Sequence, residues 1–254
     1  MTERGPRLGV GRRAEVFARE GQAVKLYAMG TPKVEAFREA AILAMVEAQG
    51  LPAPAVHGVC AIDGRWGVVM DRAPAPTLAE AMLAAPEQAA GGLLRMAALH
   101  RRIHAVETHT LTFLPPFTAR LARDIGAAPL PDPARRAALL DRLGAMPAGD
   151  RLCHGDFHPH NIMGSPGGDV VVDWVDACRG DPLADVCRSY VLMAPHAPAL
   201  APMYIDAYAA YAGIDRADIL RWLPFVAAAR LAEASPAEFA ATLDLATTGF
   251  RDPG

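Results

Sequence analysis

Residues Arg151–Asp185 set a dense run of reactive polar groups in a strand–loop–strand frame, centred on His154-Gly155-Asp156-Phe157-His158-Pro159-His160-Asn161. The apolar pair Leu152-Cys153 reads as a short buried strand, so His154 and Asp156 emerge at a strand end. Asp156 and Asn161 lie across a loop containing Pro159, which can turn both side chains toward one point. A second strand, Val170-Val171-Val172, then delivers Asp173. Asn161 and Asp173 offer hard oxygen donors of the kind Mg²⁺ prefers, and Asp156 is placed to address a hydroxyl nucleophile.

Ahead of this stretch, Leu8–Tyr27 reads as two strands with turns, Val24 and Leu26 on one face and Lys25 on the other. A lysine amid strand residues needs a partner or a solvated sheet edge. Thr31-Pro32 signals a helix start, with Thr31 as N-cap and Pro32 as first residue. The apolar stripe Val34, Phe37, Ile42, Met45, Val46 follows, and Glu35 and Glu39 share that helix. Pro52–Val59 and Trp66–Met70 read as two further strands with a hairpin at Asp63-Gly64. Met70-Asp71-Arg72-Ala73, before Pro74 and Pro76, reads as a connector.

His-Gly-Asp, four residues, Asn, and then a strand-borne Asp resembles the catalytic loop and metal-binding Asp of the aminoglycoside phosphotransferase and choline kinase-like family, relatives of protein kinases. The resemblance runs from Leu8 to Asp185. It implies an α+β, two-lobed protein-kinase-like fold, with a small antiparallel-sheet N-lobe carrying one helix and a mainly helical C-lobe. The implied boundaries are 1–73 for a nucleotide-binding lobe, a hinge at about 70–76, and 74–254 for the lobe with catalytic loop and acceptor site. In the same terms, Gly9 and Gly11 would lie over nucleotide phosphates, with Ala14 where the kinase loop has its third glycine. Lys25, oriented by Glu39 (or by Glu35 one turn earlier), would bind the α/β-phosphates, and the backbone at Asp71 and Ala73 would meet the purine. Asn161 and Asp173 would hold Mg²⁺, and Asp156 would be the catalytic carboxylate. His158 falls where protein kinases carry a catalytic-loop lysine, with a role at the γ-phosphate or a partner within the loop. His154 and Asp185 would brace the loop. The implied activity is transfer of the γ-phosphate of ATP or GTP to an alcohol group of a small molecule. The segment from Asp173 to Asp181 is too short for a protein-kinase activation loop.

From Thr77 onward the pattern is helical: Thr77–Leu83, Glu87–Val106, Thr118–Gly126, Pro133–Met146, a start at Asp181-Pro182, then Ala199–Ala212, Arg216–Ala234 and Ala237–Thr247. His100 and His104, four residues apart, lack any accompanying zinc signature and read as core or helix-surface histidines. Acidic residues outnumber basic ones after residue 173, which favours a cationic or neutral acceptor, with Asp176, Tyr204, Asp206, Tyr208, Trp222 and Glu233 as candidate lining. The net charge of −3 argues against nucleic-acid partners, and the absence of an apolar run of transmembrane length argues against a membrane span. Cys60, Cys153, Cys178 and Cys187 have no metal or redox spacing and read as reduced thiols, in keeping with a cytoplasmic monomer or homodimer. Two alternatives stand beside the kinase. One is a metal-dependent hydrolase using His154, Asp156, His158, His160, Asp173 and Asp176. The other is a kinase-like binding module without turnover.

Overall fold

The computed structural model describes residues 4–164 and 168–248. The chain divides into two compact units, one of Met1–Ala81 with His160–Val175, the other of Met82–Pro159 with Asp176–Gly254.

The first unit is built on a five-stranded antiparallel sheet in the order β1-β2-β3-β5-β4. Its strands are β1 (Arg7–Val10), β2 (Ala14–Arg19), β3 (Gln22–Tyr27), β4 (Val56–Ile62) and β5 (Arg65–Asp71). Alternation decides the faces: Phe17, Val24, Leu26, Ile62 and Val69 form one buried cluster. Asp63 and Gly64 both take positive φ (50° and 73°), as a two-residue hairpin turn requires. Helix α1 (Lys33–Ala48) packs on β4 and β5. It starts after Pro32, without a side-chain cap, so Thr31 does not serve as the expected N-cap. Its buried face also departs from the apolar stripe. Val34 and Phe37 are 64% and 50% exposed, while Glu39 is 2% exposed. The helix is rotated so that a carboxylate, rather than two apolar side chains, meets the sheet, and the ion pair described below accounts for it.

Residues 160–175 join this unit instead of the unbroken 74–254 lobe read from the sequence. Strands β7 (Ile162–Met163) and β8 (Val170–Val171) form a short hairpin. It is tied to the earlier chain by Gly164 N–H donating to Pro76 O (2.9 Å) and Val171 N–H donating to Pro52 O (2.7 Å).

The second unit is mainly helical. It comprises α2 (Leu78–Ala84, begun in the first unit), α3 (Ala89–His104), α4 (Phe117–Ala127), α5 (Pro133–Gly144), α6 (Pro182–Met193), α7 (Leu200–Ala212), α8 (Arg216–Leu220), α9 (Leu223–Arg230) and α10 (Pro236–Thr248). Thr77 and Glu80 exchange hydrogen bonds at the start of α2, a reciprocal cap. Asp181 caps α6 by accepting from Leu183 N–H at 2.8 Å, as Asp181-Pro182 foretold. The single helix expected over Arg216–Ala234 is two, α8 and α9, because Pro224 lacks an amide hydrogen and favours a new first turn. Helix α9 packs with α4, α6 and α10, and α7 packs with α3 and α6. The strand pair β6 (Arg151–Cys153) and β9 (Cys178–Gly180) is antiparallel, and β6 rests on α3 and α6. That packing sets the loop after Cys153. The four cysteines are free thiols. Among the described residues no helix is long and apolar enough to cross a membrane.

Candidate active site

In the first unit, Lys25 on β3 points its ammonium at two carboxylates, Glu39 Oε1 at 2.8 Å and Asp173 Oδ1 at 2.7 Å. Glu39, not Glu35, is therefore the helix partner, and the Tyr27 hydroxyl donates to its other oxygen. Burial by itself pulls the Lys25 pKa down, but the charges of Glu39 and Asp173 outweigh it and hold the pKa above the ordinary value. Lys25 is a permanent cation. Asp173 reaches it from a left-handed backbone (φ 62°), a conformation that Asp tolerates better than most residues and that concentrates at functional sites. Across the β7–β8 hairpin, Val172 N–H donates to Asn161 O at 2.9 Å, which sets Asn161 beside the residue preceding Asp173. Asn161, at the entry to the hairpin, and Asp173, just past its exit, each carry a side-chain oxygen of the hard kind that Mg²⁺ prefers.

The β1–β2 hairpin bears Gly9 and Gly11, and Gly11 N–H donates to Ala14 O at 2.8 Å. A methyl group at Gly9 would meet nothing within 4 Å, and one at Gly11 only Ala14 O at 3.5 Å. The fold itself does not require these glycines. Asp71 is exposed, pairs with His57 at 2.7 Å, and commits its N–H to Ala55 O. Of the two connector positions expected to meet a purine, Asp71 thus has no open amide.

In the second unit, the loop after β6 is gripped from below. Asp185 on α6, fully buried, accepts from the N–H groups of His154 (2.6 Å) and Gly155 (2.9 Å). His100 and His104 on α3 reach the same carboxylate at 2.9 and 3.3 Å, and their other ring nitrogens meet the hydroxyls of Tyr204 (2.5 Å) and Tyr208 (2.7 Å). Burial, then the neighbouring His104, pushes His100 down to about 3, so at neutral pH it serves Asp185 as a neutral N–H donor. Burial alone would raise the Asp185 pKa, yet its interactions with His100 and then His104 hold it well below the carboxylate range. His154 is buried, accepts the Asp156 N–H on Nδ1 at 3.2 Å, and stacks edge-on against Phe157. It thereby ties its ring to the backbone at Asp156. Gly155 sits at φ 79°, where an added Cβ would lie 2.3 Å from Asp176 O, so only glycine fits.

Asp156 itself is partly exposed, with His158 Nε2 3.6 Å from its Oδ2. His158 thus lies beside Asp156 within the loop. Burial would raise the Asp156 pKa, but His158, then Arg188 and His154, outweigh it and lower it below the usual value. The carboxylate is ionised at neutral pH.

The acceptor candidates divide. Tyr204, Tyr208 and Trp222 are at most 2% exposed and belong to the core, because α7 turns its tyrosines onto α3 and Trp222 packs edge-to-face on Phe225. They cannot line an open pocket. Asp206, on the outer side of α7, is exposed and paired with Arg216 at 2.7 Å. Asp176 and Glu233 do lie by the loop after β6, but each faces an arginine: Asp176 and Arg120 at 3.1 Å, Glu233 and Arg188 at 3.3 Å. Sequence reasoning missed these arginines. The available signal was a charged residue, Arg188, one turn beyond Asp185 in an otherwise apolar helix. Among the described residues, the group of His, Cys, Asp or Glu compact enough for a metal ion is His100, His104 and Asp185, already engaged as above. Within the second unit, the described residues His154, Asp156, His158 and Asp176 of the hydrolase alternative form no such group, and in the first unit His160 is exposed.

A sequence model described as the phosphotransferase enzyme family matches residues 6–220. The chain belongs to that family. No curated protein is significantly similar to it in sequence. Among solved structures, aminoglycoside phosphotransferase APH(4)-Ia matches with TM-score 0.69 at 17% identity, covering 98% of this chain and 93% of that one. An aminoglycoside-3′-phosphotransferase of type VIII matches with TM-score 0.61 at 22% identity, covering 94% and 92%. A choline/ethanolamine kinase family protein from Mesorhizobium loti gives 0.66 at 17% identity, covering 98% and 88%. At these identities the likeness is one of fold, and this phosphotransferase family member has the two-lobed kinase-like architecture.

The Lys25–Glu39 contact carries a prediction for the family member. Lys25→Ala and Glu39→Ala should each lower kcat/KM for nucleotide, and the double variant should cost much less than the two effects summed, because the pair acts as one unit. Glu35→Ala, outside the pair, should be mild. Additive losses in steady-state kinetics would show the contact to be without consequence for nucleotide use.

Proposed function

We propose that this protein transfers the γ-phosphate of ATP or GTP to a hydroxyl group of a small molecule, in the cytoplasm. One observation carries the reading: a permanently charged lysine is held between a helix glutamate and a strand-borne aspartate. A metal-dependent hydrolase would leave that arrangement idle. Lys25 binds and orients the α/β-phosphates beneath the Gly9–Gly11 hairpin, whose open tip leaves room for them. Asn161 and Asp173 would hold Mg²⁺, which when bound offsets charge between the β- and γ-phosphates. Asp156, ionised, accepts a hydrogen bond from the acceptor hydroxyl, aligns its oxygen on the γ-phosphorus and takes the proton late. The first unit is thus the nucleotide-binding part, and the second carries the catalytic loop and the acceptor groups. Lys25, Asp156 and Asp173 are all retained, which supports turnover over a silent kinase-like module.

The acceptor we infer is a small alcohol of low positive charge. A thermostable mutant of APH(4)-Ia has been solved with AMP-PNP and hygromycin B. In this chain, however, the two carboxylates by the catalytic loop that would greet such a polycation, Asp176 and Glu233, are matched by Arg120, Arg188 and Arg230.

The reading has a direct binding consequence. Mg²⁺-ATP or Mg²⁺-GTP at about 100 times Kd should stabilise the folded protein by about 2.7 kcal/mol, visible as a raised Tm. Asp173→Ala should largely remove that gain. A response to Zn²⁺ with none to nucleotide would reverse the conclusion in favour of the hydrolase.

A further inference from the structure

Two side chains one helical turn apart on α6 grip opposite sides of the same backbone. Asp185 takes the N–H groups of His154 and Gly155, while Arg188 donates its Nε–H to the carbonyl oxygen of Gly155. Residues three apart share a helix face, so α6 clamps both the donors and the acceptor of this left-handed turn. The Gly155 carbonyl belongs to the peptide that carries Asp156. Its orientation sets where the Asp156 side chain leaves the loop.

Arg188 is 2% exposed, and a buried charge is costly unless paired. Its counter-ion is Glu233, 3.3 Å from Nη2. Glu233 is shared with Arg230 at 3.4 Å, and Arg230 in turn holds Glu238 at 3.1 Å. Glu238 is fixed by Ser235 N–H at 2.9 Å and by His196 at 2.7 Å. A row of charges thus runs from the catalytic loop to the start of α10. A planar guanidinium meets a carbonyl with Nε and a carboxylate with Nη2 in one fixed fork, whereas an ammonium offers its donors from a single nitrogen without that fixed spacing.

We propose that Arg188 is a positioning residue for phosphoryl transfer, holding the Gly155 carbonyl and thereby the Asp156 carboxylate, with Glu233 as its counter-ion. This rests on the functional reading above. The charged and titratable groups around the catalytic aspartate are His158, Arg188 and His154, with Arg120 against Gly155 balanced by Asp176 and Asp124. Arg188 is the member of that set whose position is fixed from a separate helix by a bond to the loop carbonyl.

The test compares Arg188→Met, Arg188→Lys and Asp156→Asn with the wild type. The readouts are Mg²⁺-ATP turnover, thermal stability, and ¹³C NMR titration of the aspartate carboxyl carbons, with Asp156→Asn assigning the Asp156 signal. Arg188→Met is expected to lower kcat about 10²-fold, the cost of misplacing a catalytic group, with nucleotide KM within about threefold. Asp156 should then titrate at higher pH, because a neighbouring cation is gone. Arg188→Lys keeps the charge, so Asp156 should titrate near the wild-type pH while kcat still falls about tenfold through loss of the planar donor. A folded Arg188→Met with wild-type kcat and wild-type Asp156 titration overturns the proposal. Should Arg188→Met not fold, wild-type kcat in Arg188→Lys overturns it instead. A merely structural arginine would lower Tm while leaving the titration and the kcat of the folded fraction unchanged. If the wild type turns over no nucleotide, the kinase reading fails, and the NMR titration still decides whether Arg188 acts on Asp156.

Discussion

Replacing Asp156 with Asn is expected to reduce kcat by about 10²–10⁴-fold, the range attributable to a positioned acid–base group, while nucleotide KM changes little. The carboxamide keeps the shape of the side chain but cannot accept the hydroxyl proton. It also loses the negative charge that His158, Arg188 and His154 are arranged to sustain. Asp156 is partly exposed; His154 holds its N–H, and Asp185 and Arg188 hold the two residues before it, independently of its carboxylate. Thermal stability should therefore stay within a few degrees of wild type. Steady-state kinetics beside a melting curve separates the two effects. A variant retaining a tenth or more of the wild-type kcat would remove Asp156 from the chemistry.

The second large effect is on stability. Asp185→Ala should destabilise the fold by about 3–5 kcal/mol, because it leaves two buried amide N–H groups and two buried histidines without their shared acceptor. Urea denaturation should show a lower midpoint. The pH dependence follows from the sign of the shift. The folded-state pKa of Asp185 is depressed, so its contribution is fully present above the unfolded value, about 4, and is lost as pH falls toward the folded-state value. The variant should accordingly show a flatter loss of stability in acid. An Asp185→Ala protein as stable as wild type at pH 7 would mean that the buried cluster does not depend on its carboxylate.

How far the sequence could be read depended on the kind of signal each residue leaves. Short-range patterns were legible: alternation in Val24-Lys25-Leu26, the Asp63-Gly64 turn, the Asp181-Pro182 helix start, and the spacing of Asp156, Asn161 and Asp173. The choice of Glu39 over Glu35 was legible only through the kinase order, since both share the helix, and the contact with Lys25 decides it. Where side chains of a helix face depend on its rotation, local pattern misled. Val34 and Phe37 look like core and are exposed, because Glu39 commands the inward face. Tyr204 and Tyr208 look like ligand-binding aromatics and are core, because their hydroxyls meet two histidines about a hundred residues earlier. No sequence pattern pairs groups at that separation. The arginines that neutralise Asp176 and Glu233 are distant partners of the same kind. An acidic C-terminal composition therefore did not translate into an acidic surface by the catalytic loop.

Phosphoryl transfer itself is tested most directly by ³¹P NMR of the protein incubated with Mg²⁺-ATP or Mg²⁺-GTP and a panel of alcohols. The panel should span neutral polyols, amino alcohols and polycationic aminoglycosides. A new phosphomonoester resonance is expected with a neutral or singly charged acceptor, growing as the γ-phosphate signal declines, and absent with Asp156→Asn. No phosphomonoester from any alcohol, together with γ-phosphate loss that Asp156→Asn leaves untouched, would contradict that expectation.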